Sequence, residues 1–298
     1  MALAPAALGS LIKAGFEVFV ESGAGDAAGY PDALYQSAGG QIVTAAEALS
    51  ADVVTSVRLY GANEGPTPTF KTDQVVVALM DPLAFPKPIQ DAAASGAKLF
   101  SLEMIPRITR AQAMDVLSSQ ASLAGYKAVL LGANQMNRIL PMMTTAAGTI
   151  PPAKVMILGA GVAGLQAIAT AKRLGAVVTG YDVRPETKSQ VESLGARFLE
   201  LDLQAEQGEG GYAKEQSKEF YAKQQELLGD AMAEMDLIIT TAAVPGRKAP
   251  ILITQAMVQK MKHGAVVVDL AAERGGNVEG TVPGQIIPSG NAFLMGPL

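Results

Sequence analysis

Apolar runs and glycines alternate along the chain in a recurring order. In "KAGFEVFVESG" (13–23), "SGAKLFSLE" (95–103), "LGAVVTGYD" (174–182), "LGARFLELD" (194–202) and "HGAVVVDLA" (263–271), a glycine closes a helical stretch and an apolar strand follows at once. Glycine at that place supplies the left-handed residue that ends a helix. The intervals between these units are irregular, so the pattern is not a solenoid repeat. Helices alternating with strands predict a parallel α/β sheet. The runs "KVMILG", "DLIITT" and "AVVVDLA" lack polar alternation, as expected of strands covered on both faces.

The units fall into two groups. Residues 1–119 are expected to form an N-terminal α/β domain that ends near "KLFSLEMIPRITRAQAMD". From Asp115 to about Arg138 the chain reads as one long helix without proline. "LPMMTTAAGTIPPAK" follows as a linker rich in Pro, Thr and Gly, and a second α/β domain starts at Lys154. The expected architecture is therefore two Rossmann-like parallel-sheet domains joined by a long helix, with a cleft between them. The second domain, with the helix, spans 120–298.

One segment carries chemistry. "VMILGAGVAGLQAIATAKRLGAVVTGYDVRP" (155–185) gives a strand over 154–158, a glycine turn, a helix to about Leu174, a strand over 176–181 and an acid at its end. A lone G-x-G-x-x-G is a weak signal, but this one has its full strand–turn–helix–strand context. Gly159 allows the tight turn, Gly161 lets the backbone approach a pyrophosphate, and Gly164 permits close packing of helix on strand. The helix N-terminus at Val162 and Ala163 offers N–H groups and the positive end of a dipole to phosphate. Asp182 lies 18 residues after Gly164, where its carboxylate can accept from both hydroxyls of a ribose. That favours NAD(H) over NADP(H), whose 2′-phosphate would face a negative charge. Val183 and Arg184 continue the same loop, and an arginine at this point can also bind a 2′-phosphate. A spanning helix is the competing reading of the 17 uncharged residues Val155–Ala171. The three glycines in its first ten residues and the central Gln166 break it into strand, turn and helix instead.

Length and charge narrow the function classes. A chain of 298 residues suits about two domains. A net charge of −5 argues against nucleic acid and against a polybasic membrane anchor. With no cysteine there is no disulfide, thiolate catalysis or Cys-based zinc site, which fits a reducing compartment. The start "MALAPAALGSLIKAG" lacks a basic region followed by a long apolar core, so no secretory signal is expected. A dehydrogenase acting on an alcohol or amine must move a proton as well as a hydride, usually through His, Lys or Tyr. The single histidine, His263, stands at a helix end before a strand and reads as a C-terminal cap. It falls at the end of the strand opposite the carboxyl-end crevice where α/β proteins bind ligands. The lysines are scattered on helices. Direct hydride transfer between two nicotinamide rings is one reaction that needs no acid/base side chain.

At this point the residues resemble a known family. "MIPRITRAQAMDVLSSQASLAGYKAV", "PMMTTAAGTIPPAKVMILGAGVAGLQAIATAKRLGA", "GGYAKE" and "DLAAERGGN" are similar to the NAD(H)-binding component of proton-translocating nicotinamide nucleotide transhydrogenase, a family related to alanine dehydrogenase. The resemblance covers about 4–285 and is strongest over 103–276. It implies a homodimer on the cytoplasmic or matrix side. That homodimer would be peripheral to the inner membrane, docked on a transmembrane proton-channel component and on an NADP(H)-binding component. It also implies residue roles. In "PRITRAQAMD", Arg107 and Gln112 would hold the nicotinamide end and help bridge the partner's nucleotide, while Asp115 orients Arg107. A plain helix cap by Asp115 beside a surface arginine is the alternative. Ser118 would touch the nicotinamide or its ribose. The polar stretch "LQAEQGEGGYAKEQSKEFYAKQQELLGD" would be a mobile loop whose Tyr212 closes over bound nucleotide. "TTAAVPGRKAP" and "DLAAERGGN" follow strands at their carboxyl ends, so Gly276 and Asn277 are expected to line the cofactor crevice.

Two departures from the family pattern carry expectations. Members begin with a strand and a basic, Pro-containing loop, whereas this chain begins at the helix near Ala4. The expected result is an unpaired edge and exposed apolar surface in the first domain. Members also continue after "NVEGTVPGQ" through a further strand and a segment returning to the first domain, where this chain has "IIPSGNAFLMGPL". Its absence is expected to weaken the pairing of the domains. An alanine dehydrogenase is the alternative enzyme. It needs a Lys and a His in the first domain, but "VVTSVRLYG" and "VVVALMDPL" offer only Arg58. A non-catalytic NAD-binding module is the remaining alternative.

Overall fold

The computed structural model describes residues 1–59, 68–201, 217–243 and 246–298. The chain divides into two compact units, Met1–Val116 and Leu117–Leu298.

The first unit runs α1 (Pro5–Lys13), β1 (Phe19–Glu21), α2 (Asp32–Ser37), β2 (Gln41–Val43), α3 (Ala45–Leu49), β3 (Val53–Arg58), β4 (Val75–Leu79), α4 (Pro86–Ala93) and β5 (Lys98–Ser101). All its strand pairs are parallel, as the alternating grammar predicts, but its sheet is in two pieces, β1–β2 and β3–β4–β5. Each piece has its own apolar cluster. Leu8, Val18 and Tyr35 form one, and Leu59, Phe70, Val76, Ala78, Met80 and Ala92 the other. A groove of about 370 Å³ lies between β1 and β3, with Phe16, Phe19, Val53 and Val57 among its lining. All four are exposed, Phe16 by 52% and Val57 by 50%.

The second unit opens with α5 (Val116–Gln135), slightly shorter than the expected helix. Next come β6 (Met143–Thr145) and β7 (Gly148–Ile150), then β8 (Lys154–Leu158), α6 (Val162–Arg173), β9 (Val177–Tyr181), α7 (Thr187–Ser193) and β10 (Arg197–Phe198). The unit closes with α8 (Lys218–Met232), β11 (Leu237–Thr240), α9 (Gln255–Gln259), β12 (Ala265–Asp269), β13 (Ile286–Ser289) and β14 (Ala292–Met295). Seven strands form one sheet in the order β10-β9-β8-β11-β12-β14-β13, parallel except for the last pair. β8, β11 and β12 are buried along nearly their whole length between two apolar clusters, one on each face. The glycines that end the helical stretches, Gly15, Gly96, Gly175, Gly195 and Gly264, all have positive φ.

Two segments differ from the sequence reading. The linker at 139–153 contains the antiparallel hairpin β6–β7, because the β-branched Thr144, Thr145, Thr149 and Ile150 flank a turn that Gly148 closes at φ 134°. The tail "IIPSGNAFLMGPL" is a second hairpin, turning at Gly290 (φ 56°), and it extends the main sheet through β14 beside β12.

Small residues set how closely α5 lies on the sheet domain. Its buried stripe is Gly125, Ala128, Val129 and Gly132. A Cβ on Gly125 would land on the backbone carbonyl of Ala163, and one on Gly132 would come within 2.5 Å of Leu237 Cδ1. Gly125→Val is therefore expected to cost about 1–3 kcal/mol of the second unit's stability through overpacking against backbone. Urea denaturation followed by circular dichroism checks this, and an unchanged midpoint would show that α5 does not pack there.

A glycine turn and a buried acid at the switch point of the sheet

The sheet fixes where a ligand can sit. From β8 the chain moves outward to β9 and β10, then returns to place β11 on the other side of β8. The crevice at the carboxyl ends of β8 and β11 is thus the topological switch point, the usual ligand position of an open α/β sheet.

The glycine turn occupies this point. Gly159 has φ 101°, and a Cβ there would meet Thr241 Oγ1 at 2.5 Å. A Cβ on Gly164 would collide with the Gly159 carbonyl, so only glycine lets α6 start this close to β8. At Gly161 nothing lies within 4 Å of where a Cβ would project. Its backbone is ordinary (φ −79°, ψ −167°), so this glycine is not required by the fold; it leaves space in front of the turn. Gly161 is the N-cap of α6 and supplies no side-chain cap, so the first-turn N–H groups at Val162, Ala163 and Gly164 receive no cap from it. Space before uncapped N–H groups at the positive end of a helix suits a pyrophosphate.

Asp182 stands beside the turn at the end of β9. Its carboxylate accepts the Ala160 N–H (2.7 Å), the Arg184 N–H (2.9 Å), Arg184 Nε (2.9 Å) and Arg184 Nη2 (2.8 Å). The acid therefore braces the turn and holds the guanidinium of Arg184, which the pairing keeps above its ordinary pKa against the opposing effect of burial. Val183 lies half-buried between the two. Just before Asp182, the buried Tyr181 phenol accepts a 2.8 Å bond from Gln224 Nε2 of α8. Burial pushes this phenol up to about 12, so it is protonated at neutral pH.

The neighbouring loops are knotted together by a residue that the sequence reading did not single out. Asp269, fully buried at the end of β12, accepts from Thr240 Oγ1 (2.9 Å) and from the N–H groups of Ala271 (3.0 Å), Asn277 (2.9 Å) and Val278 (3.1 Å). Burial raises its pKa, and the four bonds oppose that rise. The one sequence signal is an acid ending an otherwise apolar strand. Gly276 turns this loop at φ 76°, where a Cβ would come within 2.8 Å of Asp269 Oδ2. Asn277, expected to line the crevice, is fully buried, and its amide is committed to the protein. Its Oδ1 accepts the Ala242 N–H (3.0 Å), while Nδ2 donates to the carbonyls of Ala242 and Pro250 (2.8 Å each). Its geometry is that of a brace for the loop after β11. That loop reaches the glycine turn through the 3.1 Å bond from Thr241 Oγ1 to the Gly159 carbonyl.

The remaining expected residues are placed separately. Ser118 is half-buried, seven residues before Gly125 and so on the same face of α5. In the first unit, Glu103 follows β5 and accepts the N–H groups of Met80 (2.8 Å) and Asp81, which ties the carboxyl ends of β4 and β5. Asp81 has φ 48°, an uncommon conformation for a non-glycine residue. Arg107 and Gln112 are exposed on the segment that follows, Gln112 within the 3-10 turn Thr109–Met114, which is anchored by buried Ala111; Asp115 immediately precedes α5. Tyr212 lies outside the described residues. His263 stands just before β12, at the amino end of the sheet, opposite the turn.

Comparison with known proteins identifies the family. The descriptions "Alanine dehydrogenase/PNT, N-terminal domain" and "Alanine dehydrogenase/PNT, C-terminal domain" match residues 1–124 and 128–294.

The chain belongs to the alanine dehydrogenase/PNT family.

Within the family it is 47% identical to an NAD(P) transhydrogenase alpha subunit of Rhodospirillum rubrum, over 99% of this chain and 79% of that one. Alanine dehydrogenase of Mycolicibacterium smegmatis is 30% identical over 95% of this chain and 71% of its own. The crystal structure of transhydrogenase from Sinorhizobium meliloti superposes with a TM-score of 0.86 at 46% identity, covering all of this chain and 82% of that one.

The turn yields a prediction that separates folding from ligand binding in this family member. Gly161→Val should leave the melting temperature within a few degrees while weakening dinucleotide binding at least tenfold, about 1.4 kcal/mol. Gly164→Ala should instead destabilise the unit, because its Cβ meets backbone. Thermal melts and fluorescence titration of both variants check this; equal melting losses would show that Gly161 also has a structural role.

Proposed function

We propose that the chain is the NAD(H)-binding part of a proton-translocating transhydrogenase. Hydride passes directly between NAD(H) held here and NADP(H) held on a partner component, and a membrane subunit couples the transfer to proton translocation. The observation that carries this reading is the Gly159–Gly164 turn with Asp182 at the switch point, in a chain whose only histidine stands at the opposite end of the sheet. The similarity to transhydrogenase alpha subunits, well above that to alanine dehydrogenase, supports it.

In this reading each residue binds, orients or excludes water. The α6 N-terminus at Val162 and Ala163 cradles the pyrophosphate through N–H groups, and Gly161 gives it room. Asp182 accepts from the ribose, with Val183 and Arg184 flanking it, while Gly276 and Asn277 hold the facing loop in place. Ser118 approaches the nicotinamide ribose from α5. Arg107 presents a planar multi-donor fork to a carboxamide or phosphate, and a carboxylate such as Asp115 fixes it. Gln112 assists at the nicotinamide end. Tyr212 closes over the bound nucleotide. The nicotinamide ring supplies the hydride chemistry, so alignment of two rings is the protein's main lever. The reading includes a homodimer docked on the NADP(H)-binding and proton-channel components, on the cytoplasmic or matrix side. Among the described residues no helix is long and apolar enough to cross a membrane, so the membrane step belongs to the partner.

The test is to mix the chain with a purified NADP(H)-binding component and follow reduction of an NAD analogue by NADPH. Turnover supports the reading. Binding of NADH without turnover would instead indicate a non-catalytic module. NADH production from alanine alone would indicate an alanine dehydrogenase, a reading weakened by the lack of His or Lys in β3 and β4.

Two further outcomes are expected. NADH should bind at least tenfold more tightly than NADPH, about 1.4 kcal/mol, because a 2′-phosphate would face Asp182; equal affinities in fluorescence titration would contradict this. Arg107→Ala and Gln112→Asn should slow hydride transfer on the order of 10²-fold by misaligning the rings. NADH affinity should change much less, since ribose and pyrophosphate contacts remain. Stopped-flow kinetics with the partner component decides, and a wild-type rate for Arg107→Ala would remove it from the site.

A further inference from the structure

Asp182 already has a full set of hydrogen-bond partners. A carboxylate offers about four lone-pair positions. Oδ1 takes the Arg184 N–H and Nε, both at 2.9 Å, and Oδ2 takes the Ala160 N–H at 2.7 Å and Arg184 Nη2 at 2.8 Å. The carboxylate side chain is 6% exposed and the arginine 18%. A ribose diol that donates two bonds to this acid must displace two of the four donors. The two backbone N–H groups belong to the glycine turn and to the strand-end loop, so they cannot leave without unfolding the site. The guanidinium can leave, because it sits on a flexible side chain at the rim.

Resting on the proposed NAD(H)-binding role, we infer that Arg184 is a specificity-determining residue whose guanidinium acts as an internal stand-in for the ribose diol. Binding of NAD(H) exchanges guanidinium for diol on Asp182. Discrimination against NADP(H) then has two sources, both depending on the acid. Asp182 repels a 2′-phosphate, and it holds away from that phosphate the one nearby side chain shaped to bind it bidentately. The pair is therefore a latent NADP(H) site, kept closed by one carboxylate.

Fluorescence titration with NADH and NADPH tests this on the wild type, Arg184→Ala, Asp182→Asn and the double variant Asp182→Asn/Arg184→Ala. The asparagine carbonyl still accepts the Ala160 N–H, so the turn keeps its brace. Asp182→Ser, alone and with Arg184→Ala, is the second route if the amide distorts the turn; melting temperatures show which background is intact. Arg184→Ala should tighten NADH, since the competitor is gone, and leave NADPH weak. Asp182→Asn should gain at least tenfold in NADPH affinity, and that gain should fall with added salt, as expected of a phosphate–guanidinium contact. The double variant should lose the gain. Equal NADPH affinities for Asp182→Asn and the double variant would overturn the latent site. A tenfold loss of NADH affinity in Arg184→Ala would overturn the stand-in, showing that Arg184 contacts the nucleotide directly. Failure of the wild type to bind NADH at all would overturn the dinucleotide reading itself, an outcome distinct from both.

Discussion

The close approach of Gly164 to the carbonyl of Gly159 is the constraint on which the rest of the site depends. No side chain fits between them, so α6 begins immediately after β8 and its first turn faces the crevice. The other braces act on the same point. The carboxylate of Asp182 ties the next residue of the turn, Ala160, to the end of β9, and Thr241 ties Gly159 to the loop after β11. Gly125 of α5 lies against the carbonyl of Ala163. Three neighbouring elements thus converge on one short turn, each through backbone or a short polar side chain. Such a turn is preorganised: its N–H groups point at the ligand position before any ligand arrives.

The loops on the far side of the crevice depend on a second buried acid. Asp269 gathers four donors from the ends of β11 and β12 and from the Gly276–Val278 turn. Asn277 then passes that order on to the loop after β11. Keeping an acid inside a sheet domain is costly unless every lone pair is used, and here the four bonds use them. The same completeness holds at Asp182, with one difference. Asp269 is bound by main chain and a strand-end hydroxyl, whereas two of Asp182's donors come from a guanidinium at the rim. One acid is built to stay as it is, and the other has a partner that can be exchanged.

Much of this was legible in the sequence. The strand, turn, helix and second strand around Gly159 appear in the residue pattern because each step has a strong local signal: an apolar run, obligatory glycines, helical periodicity and an acid after a β-branched stretch. The parallel order followed from glycine-capped helices alternating with strands. The β6–β7 hairpin was hidden because its residues read as a linker, and β13–β14 because a Pro-interrupted tail does not resemble a sheet strand. The split of the first unit's sheet into two pieces depends on long-range pairing, which local pattern does not encode. Asn277 was read as a crevice residue from its place after a strand. Only the folded chain reveals that its amide is saturated by Ala242 and Pro250. The pairing of Asp182 with Arg184 was equally invisible, since spacing alone makes either residue a candidate for the 2′ position.

In the proposed function the site aligns two nicotinamide carriers and contributes no proton-exchanging side chain. The pH dependence of single-turnover hydride transfer, in the complex with the NADP(H)-binding component, tests this most directly. The expected rate constant is flat across neutral pH. A single titration near pH 6.5, abolished by replacing His263, would contradict it and point to an acid/base dehydrogenase.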